Sequence, residues 1–286
     1  MRAIQPSAPG THSYRANAMV ASALREAAQL LKAQNASPFR SLAYLKAATT
    51  IENLDKDIAE VAAGGLDALV ALKNIGVGIG AAILELVSTG RWTQLNRLRG
   101  GLEPEAVFRT IPGIGPKLAH LIHEHLDIDS LEALEAAAYD GRLASVPGLG
   151  QRRIAIIRNS LAEILSRRGT GRGDHRSASL PPVEMLLDVD REYRNKAEAG
   201  TLRQIAPKRF NPQGKIWLPI LHTERGPWHF TALYSNTSRA HRLGRTRDWV
   251  IIFFSTDHQP EGQCTVVTET SGRNKGQRVV RGRENG

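Results

Sequence analysis

The chain has 286 residues, enough for two ordinary domains. Hydrophobic residues make up 41% and charged residues 23%, which excludes a fully disordered chain, and a single cysteine excludes a disulfide framework or a cysteine-ligated zinc finger. The net charge of +10 points to a polyanionic partner, most often nucleic acid.

The first half of the chain has the periodicity of helices. Residues 1–16 are polar and irregular, and we expect them to form a disordered tail. From residue 17 to about 168 apolar residues recur at helical spacing, and no run is typical of a strand. A second helix is predicted to start with Ser37 as N-cap and Pro38 at its first position. Its inward face is expected to carry Phe39, Leu42, Ala43, Ala47 and Ile51.

A linker and a domain of different character follow. Residues 169–182, GTGRGDHRSASLPP, contain almost nothing apolar and have the composition of a linker. Residues 183–286 begin with a predicted helix near 183–196. This second half also holds more of the net charge, with 19 Lys and Arg against 12 Asp and Glu from residue 169 onward.

Short β-branched and aromatic runs, separated by turn residues, predict strands in this second half. In one of them, Trp228 to Tyr234, large apolar residues alternate with His229 and Thr231, which predicts a half-buried strand. We therefore predict a small α+β domain around an antiparallel sheet. The predicted strands are residues 217–221, 228–234, 249–254, 265–268 and 278–280.

An internal repeat in the helical half is the most informative motif. Residues 111–119 read IPGIGPKLA, residues 146–153 read VPGLGQRR, and residues 72–80 read LKNIGVGIG. The glycines permit a tight turn between two helices, and Asn74, which replaces the first glycine in one copy, tolerates the same positive φ. Backbone N–H groups at the start of the following helix favour an anion such as phosphate.

A phosphate contact made through backbone amides does not depend on base sequence, so the repeat predicts sequence-independent DNA binding. The alternative is that such turns merely connect helices, but three copies, two with a basic residue two places after the last glycine, favour phosphate binding. The pattern resembles the helix-hairpin-helix motif of DNA repair proteins. The predicted contacts are Gly76, Gly78, Gly113, Gly115, Lys117, Gly148, Gly150, Arg152 and Arg153.

The resemblance extends over a larger region. Residues 35–54 read NASPFRSLAYLKAATTIENL and residues 74–90 read NIGVGIGAAILELVSTG. Together with the hairpins, these segments make residues 17–168 resemble the N-terminal part of family X DNA polymerases, the family of DNA polymerase beta. The resemblance implies a lyase-like helical domain at 17–100 and a fingers-like domain at 101–168. It also implies a role in DNA repair or processing on gapped or 5′-phosphorylated DNA.

The resemblance assigns further roles to individual residues. It implies that Arg40, Tyr44 and Lys46 hold the 5′-phosphate and flank an abasic sugar. The alternatives are a core aromatic for Tyr44 and a solvated helix face for the two basic residues. The family's hairpins also bind a monovalent cation, Na⁺ or K⁺, through backbone carbonyls. The matching carbonyls are those of Val70, Leu72, Ile75, Arg109, Ile111 and Ile114.

The sequence departs from the family where lyase chemistry would occur. The family's nucleophile is a lysine on the helix after the first hairpin, where it forms a Schiff base. Here Ala82 or, with a shift of two residues, Leu84 occupies that position, and no lysine occurs between Lys73 and Lys117. We therefore expect no lyase activity of the family type.

The second departure concerns polymerase chemistry. Two-metal catalysis needs carboxylates on strands, which in this family follow a Gly-Ser loop. The Asp-x-Asp motif of the second half is Asp188-Val189-Asp190; no Gly-Ser pair precedes it there, and the charges after it favour a helix end. We expect no polymerase activity and predict no divalent-metal site.

Three polar residues in the second half could still form a site. His222 and His229 converge if their strands pair across Gly226 and Pro227, and with Glu224 they could bind a metal or support acid–base chemistry. Ordinary strand and turn histidines are the alternative. The sequence does not otherwise indicate what residues 183–286 do.

The sequence thus predicts a DNA-binding protein without sequence specificity, polymerase activity or lyase activity. One alternative is a DNA-processing enzyme, a nuclease or nucleotidyltransferase, with its site in the C-terminal domain. Its residues would be His222, Glu224 and His229, or Asp188 and Asp190. Another is an adaptor that has the helical fold without DNA binding. We expect a cytoplasmic protein, because no apolar run has the length of a membrane span and no secretory signal is recognisable.

Overall fold

The computed structural model describes residues 14–101, 105, 108–109, 111–126, 128, 131–169, 180–270 and 272–283. Its first helical unit packs around a core that includes Leu24, Leu31, Ile51 and Ile83. Helix α1 packs along α2, and the shorter helices close the other sides. The elements are α1 (Arg15–Ala33), α2 (Pro38–Glu52), α3 (Ile58–Ala63), α4 (Gly65–Val70), α5 (Val77–Thr89) and α6 (Thr93–Leu98).

A second helical unit has a core of its own, which contains Phe108, Ile122, Leu134 and Ile157. In the residues of the first half that the structure describes, the two units confirm the prediction of an all-α fold with short connections. The elements are α7 (Pro116–Leu126), α8 (Leu131–Tyr139), a 3₁₀ turn (Arg142–Ser145) and α9 (Gln151–Gly169).

The second half is an antiparallel sheet with a helix across it, as the sequence predicts. Each strand lies beside the next one along the chain, so the sheet is a simple meander of six strands. Every predicted strand is present, while β1 and the first part of β5 were not predicted. The elements are α10 (Val183–Glu198), β1 (Arg203–Ile205), β2 (Leu218–Arg225), β3 (Trp228–Tyr234), α11 (Ser238–Arg242), β4 (Val250–Thr256), β5 (Gln259–Thr268) and β6 (Arg278–Val280).

Helix α10 covers one face of this sheet. Its buried residues Leu186 and Val189 join the core formed by the strands. The hydroxyl of the fully buried Tyr193 donates to the carbonyl of Pro219 at 3.0 Å and accepts from the amide of Tyr234 at 2.8 Å. These two bonds fix the helix to β2 and β3, because a buried hydroxyl without partners would be costly.

The first helical unit covers the opposite face, which corrects the prediction that β3 is half-buried. Thr231 and Leu233 lie on that opposite face and are buried, as are the apolar residues on the α10 side. Arg97 of α6 lies over the ring of Phe253 on β4, with its guanidinium carbon 3.7 Å from the ring centroid. The alternating pattern was right, but a partner from the other half of the chain buries the second face.

The inward face of α2 also differs from the prediction. Ala47 and Ile51 are buried as expected, but Phe39 is 84% exposed and Leu42 is 47% exposed. The buried stripe instead runs through Tyr44, because that ring packs on Trp92 with a centroid distance of 5.6 Å. Ser37 is the N-cap and Pro38 the first helical residue, as predicted.

The structure bears on the predicted boundaries only in part. Helix α1 begins at Arg15, inside the predicted tail, and α9 extends to Gly169, the first residue of the predicted linker. Residues 1–13 and 170–179 lie outside the described residues. Within the described part of the chain, no helix combines the length and hydropathy that a membrane span requires.

Candidate nucleic-acid interface

The same turn occurs three times between helices. In each copy the residue at the first glycine position has a positive φ, which explains why glycine or asparagine stands there. The next residue's amide donates to the carbonyl three positions earlier, and its side chain is buried. The φ values are 63° at Asn74, 88° at Gly113 and 83° at Gly148, and the closing bonds are Ile75 to Leu72 (3.2 Å), Ile114 to Ile111 (3.1 Å) and Leu149 to Val146 (3.2 Å).

The last glycine of each copy caps the following helix. The carbonyls of Gly76, Gly115 and Gly150 accept the first intrahelical bonds, at 2.8, 2.9 and 3.1 Å. The first amides of such a helix have no acceptor within the helix, and they carry its positive partial charge. Because these N-caps have no side chain, the amides remain open to an external anion.

Gly115 and Gly150 have no structural need to be glycine. Neither has a positive φ, and a Cβ added at either position would have no heavy atom within 4 Å. By contrast, the positive φ of Gly113 and Gly148 favours glycine or asparagine at these positions. Glycine at such an open position as 115 or 150 permits a ligand to approach the backbone closely.

Basic side chains flank these two open hairpins. Lys117 is exposed on the first turn of α7, and Arg152 and Arg153 are exposed on the first turn of α9. A guanidinium nitrogen of Arg153 donates to the carbonyl of Gly148 at 3.3 Å, which holds this side chain beside its turn. Both hairpins therefore combine unblocked amides with positive charge.

The first hairpin is less open than the other two. Helix α5 packs against β5, and a Cβ at Gly76 would lie 3.7 Å from the carbonyl oxygen of Asp257 in the β4–β5 turn. The carboxylate of Asp257 is exposed and lies 3.3 Å from His229 Nε2. Gly78 has open space around it. A phosphate approaching Gly76 would thus meet the backbone carbonyl of an acidic residue.

Arg40 and Tyr44 lie close enough for their side chains to interact, whereas Lys46 points to solvent on the same helix. Tyr44 is buried, and its hydroxyl donates to Gln94 Oε1 at 2.9 Å, so the core-aromatic alternative describes its environment. Burial raises the pKa of Tyr44 above its ordinary value, so the phenol is uncharged at neutral pH. Lys46 is exposed, while Arg40 is partly exposed and faces a cleft.

This cleft of about 230 Å³ lies between α2 and the sheet. It is lined by Ala36, Ser37 and Arg40 from the helical side and by residues of β2 and β3, among them His222, Glu224 and His229. Glu224 and His229 are opposite each other in the β2–β3 register, and Glu224 Oε1 lies 3.1 Å from His229 Nδ1. The other nitrogen of His229 lies 3.3 Å from Asp257 Oδ1.

His222 is fixed by neighbours on both ring nitrogens. Gln34 donates through its amide nitrogen to the carbonyl of Leu98 at 2.7 Å, so its oxygen faces His222 Nε2, 3.0 Å away. His222 Nδ1 lies 3.0 Å from the hydroxyl of Thr231. Burial, followed by the positive charges of Arg40 and Arg97, lowers the pKa of His222 to about 3, which keeps the ring neutral.

The predicted hairpin across Gly226 and Pro227 forms, and both histidines line the cleft, but they pair with protein groups and not with each other. Across the described residues, no group of three or more His, Cys, Asp or Glu side chains is arranged to hold a metal ion.

Asp188 and Asp190 lie on helix α10, as the sequence predicts, and both have arginine partners. Asp190 is 1% exposed and receives two bonds from Arg278, at 2.6 and 3.0 Å, and one from Arg194 at 3.2 Å. Asp188 accepts from Arg225 at 3.0 Å. These carboxylates are neutralised within the fold and have different partners.

The carbonyls that the resemblance assigns to a monovalent cation belong to the first two hairpins. Those of Leu72 and Ile111 accept the turn bonds, and a carbonyl oxygen keeps a second lone pair for another partner. Because the two turns have matching bonds and φ angles, they present the same backbone groups. The residues thus fit a cation site of the kind that the resemblance implies.

Sequence reasoning missed the residues that join the two halves. The fully buried Arg97 donates to Glu261 Oε2 at 2.6 Å, and Gln34 reaches both α6 and β2. An isolated arginine in a helix gives no local signal of such a contact. The position of Asp257 beside the first hairpin was likewise not predictable from local pattern.

Comparison with known proteins agrees with this geometry. Residues 15–92 match a helix-hairpin-helix domain model, and residues 106–163 match a model of a SAM-like helix-hairpin-helix tandem. A stretch of 135 residues is 27% identical to the DNA polymerase/3′-5′ exonuclease PolX of Bacillus subtilis (strain 168). That stretch is 46% of this chain but 22% of the relative, so the similarity spans less than a quarter of the PolX protein.

The N-terminal half is therefore a helix-hairpin-helix region of the kind found in PolX-like proteins. Helix-hairpin-helix domains imply DNA binding without sequence specificity, and DNA is the partner that these matches support.

Proposed function

We propose that this protein binds the DNA backbone through its second and third hairpins and acts in DNA repair or processing without polymerase or lyase activity. The observation that carries the proposal is the pair of glycines Gly115 and Gly150. Both have open space around them and no positive φ, so the fold itself does not require glycine there. Each glycine caps a helix whose first turn carries an exposed basic residue, Lys117 or Arg152, an arrangement suited to phosphate.

The preferred DNA is gapped or carries a 5′-phosphate. Arg40 supplies a partly exposed positive charge at the cleft beside the N-terminus of α2, where the helix dipole also favours an anion. Lys46 is exposed farther along the same helix. A terminal phosphate at this cleft and a duplex on the two open hairpins would use both helical units at once.

The proposed absence of lyase and polymerase activity is supported by the residues at the position of the family's lyase lysine and by the partners of the two aspartates. Ala82 is buried and Leu84 packs against the same core, so neither offers an amine. Asp188 and Asp190 each have arginine partners on a helix.

Backbone carbonyls of the first two hairpins would hold a monovalent cation. A cation bound at these carbonyls would supply one positive charge at the turn. The chain's own part is to orient the carbonyls of Leu72 and Ile111 through matching turns.

The cleft favours a second candidate function. Arg40, Glu224 and His229 line one cavity, which brings a cation, a carboxylate and an imidazole together. A DNA-processing enzyme could use His229 for proton transfer and Arg40 for the phosphate. This candidate requires cleavage or transfer that His229→Gln abolishes.

One binding and turnover survey of the full chain separates the candidates. Labelled gapped, nicked, abasic and intact duplexes are incubated with and without Mg²⁺ or Mn²⁺ and nucleotides. We expect binding to all of them, tightest to a gap with a 5′-phosphate, and a steep fall in affinity between about 50 and 200 mM salt. A gap with a 5′-hydroxyl is the matched control.

Neither cleavage, nor primer extension, nor a borohydride-trapped adduct is expected in this survey. Extension or trapping would refute the proposed lack of activity. Affinity that is insensitive to salt and to the presence of DNA ends would refute the proposed binding mode.

A further inference from the structure

A loop of the C-terminal domain holds an aromatic residue in a backbone conformation that such residues rarely adopt. Phe210, in the connection between β1 and β2, has a φ of +51° and is 49% exposed. Bulky residues are strongly disfavoured in this region, and a case that persists is held there by its surroundings. Neither the exposed ring nor the strained backbone of Phe210 stabilises the fold, so the presence of phenylalanine at this position needs another explanation.

The surroundings fix this loop firmly. The side chain of Asn211 makes three hydrogen bonds across it, to the carbonyls of Pro207 (2.9 Å) and Lys215 (2.8 Å) and from the amide of Lys215 (2.9 Å). The buried Asn236 donates to the carbonyl of Arg209 at 2.8 Å, immediately before Phe210. The loop is thus a rigid platform held from both sides.

The ring of Phe210 is positioned as well. It packs against the imidazole of His241 on α11, with a centroid distance of 4.6 Å, and Asn236 Oδ1 lies 2.6 Å from His241 Nε2. The phenyl ring is tilted by 45° to this imidazole, and the guanidinium carbon of Arg209 lies 5.3 Å from the ring centroid, while about half of the residue remains open to solvent.

Exposed basic residues occur on the segments that carry this ring and its neighbour His241. Lys208 and Lys215 are exposed on the loop, and Arg242 and Arg247 are exposed on the adjoining segment. Two carboxylates of the second helical unit pair with arginines of this region: Glu105 with Arg209, and Glu124 with Arg242. The loop surface is defined as Lys208, Phe210, Lys215, Arg242 and Arg247, and its positive character comes from Lys208, Lys215 and Arg247, because Arg242 already has an acidic partner.

The loop surface also lies close to the second hairpin. Glu105 contacts Arg209 on one side, at 2.9 Å, and His120 on the other, at 3.4 Å. His120 is one turn from the start of α7, the helix that follows the hairpin. A DNA strand that leaves the second hairpin would therefore reach the loop surface after a short distance.

We infer that the loop surface binds unpaired nucleotides, with a base stacked on Phe210 and phosphates on the surrounding lysines and arginines. An exposed aromatic ring among cations is the arrangement that binds single-stranded nucleic acid without sequence preference. The placement beside the hairpin rests on the proposed duplex binding, whereas the stacking itself does not. The C-terminal domain would hold the single-stranded part of a gap or frayed end.

The test uses Phe210→Asn in the full chain. Asparagine suits a positive φ, so this variant should keep or raise the melting temperature while it removes the ring. Affinity for a labelled oligothymidylate should fall about 5- to 150-fold, since a stacked base contributes about 1–3 kcal/mol. Affinity for a blunt duplex should stay unchanged, and Phe210→Tyr, which keeps the ring, should bind both DNAs like the wild type.

Unchanged oligothymidylate binding in Phe210→Asn would overturn the inference, and so would a wild-type protein that binds duplex but no single strand. Failure to bind either DNA would instead refute the proposed function. A loss of the same size towards polyglutamate would assign the surface to an acidic protein and also overturn the inference.

Discussion

At the residue scale, His222 shows how the interface between the two halves determines a protonation state. Its ring lies between Gln34 of the helical unit and Thr231 of the sheet. Gln34 presents its oxygen, so Nε2 of the histidine carries the proton and Nδ1 accepts from the threonine hydroxyl. A second proton would sit close to two arginines in a buried place, which is why the pKa falls.

This predicts a dependence of stability on pH. The pKa of His222 drops from 6.5 in the unfolded chain to about 3 in the fold, so below pH 6.5 only the unfolded chain binds the proton. The contribution of His222 to the free energy of unfolding is fully present above pH 6.5 and is lost as the pH falls towards 3. Urea unfolding at about pH 7, 6 and 5 should show a loss approaching about 1.4 kcal/mol per pH unit from this group.

His222→Gln is the matched variant, because its amide offers both a donor group and an acceptor oxygen but does not titrate. It should lose less stability than the wild type between pH 6 and 5, since the carboxylates titrate equally in both proteins. Parallel pH profiles for the two proteins would contradict the buried, neutral histidine.

At the element scale, local sequence patterns correctly predicted the features that depend on residues close together along the chain. The positive φ at Asn74 follows from its place in the repeat, and the strand at residues 228–234 follows from its alternation. The inward face of α2 was wrong because Phe39 and Tyr44 both offer apolar area, and only the position of Trp92 decides between them. Periodicity in a sequence cannot supply that choice.

Helix α10 is the element on which the carboxylates lie, and two variants test their role. Asp190→Ala removes the buried partner of Arg278 and Arg194 and should lower the free energy of unfolding by about 3 kcal/mol or more. Asp188→Ala, whose side chain is half exposed, should cost about 1 kcal/mol or less. Urea unfolding of the full chain measures both.

Neither variant should change DNA affinity where the protein remains folded. A stable Asp190→Ala protein that had lost a metal-dependent activity on DNA would show instead that these carboxylates are catalytic.

At the scale of the whole molecule, the two halves of the chain pack directly against each other in addition to being covalently connected. Arg97 and Glu261, whose positions differ by 164 along the chain, form an ion pair beside the ring of Phe253. Gly100 has a φ of +84°, and a Cβ there would lie 2.1 Å from the carbonyl oxygen of Ala206, so glycine permits this approach. The amide of Lys208 donates to the carbonyl of Gly100 at 2.8 Å.

This docking explains which parts of the candidate site were predictable. The three hairpins were found because each is a local motif, and the basic residues beside them follow by spacing. The cleft combines Arg40 with residues of β2 and β3, and no local pattern joins them. The turn beside Gly76 likewise comes from the other half of the chain, so the difference between the first hairpin and the other two needed the structure.

The most direct test of the account is DNA binding by Gly115→Val and Gly150→Val. Both positions have open space and ordinary φ, so the melting temperature should stay close to that of the wild type. Ala199→Val, which enlarges an exposed residue at the end of α10, is the control.

Fluorescence anisotropy with two intact duplexes of unrelated sequence measures the outcome. We predict that each glycine variant loses about tenfold or more in affinity, equally for both duplexes, because a side chain keeps the phosphate from the helix amides. Ala199→Val should bind like the wild type. Folded glycine variants that bind both duplexes with wild-type affinity would contradict the claim that these hairpins hold the DNA backbone.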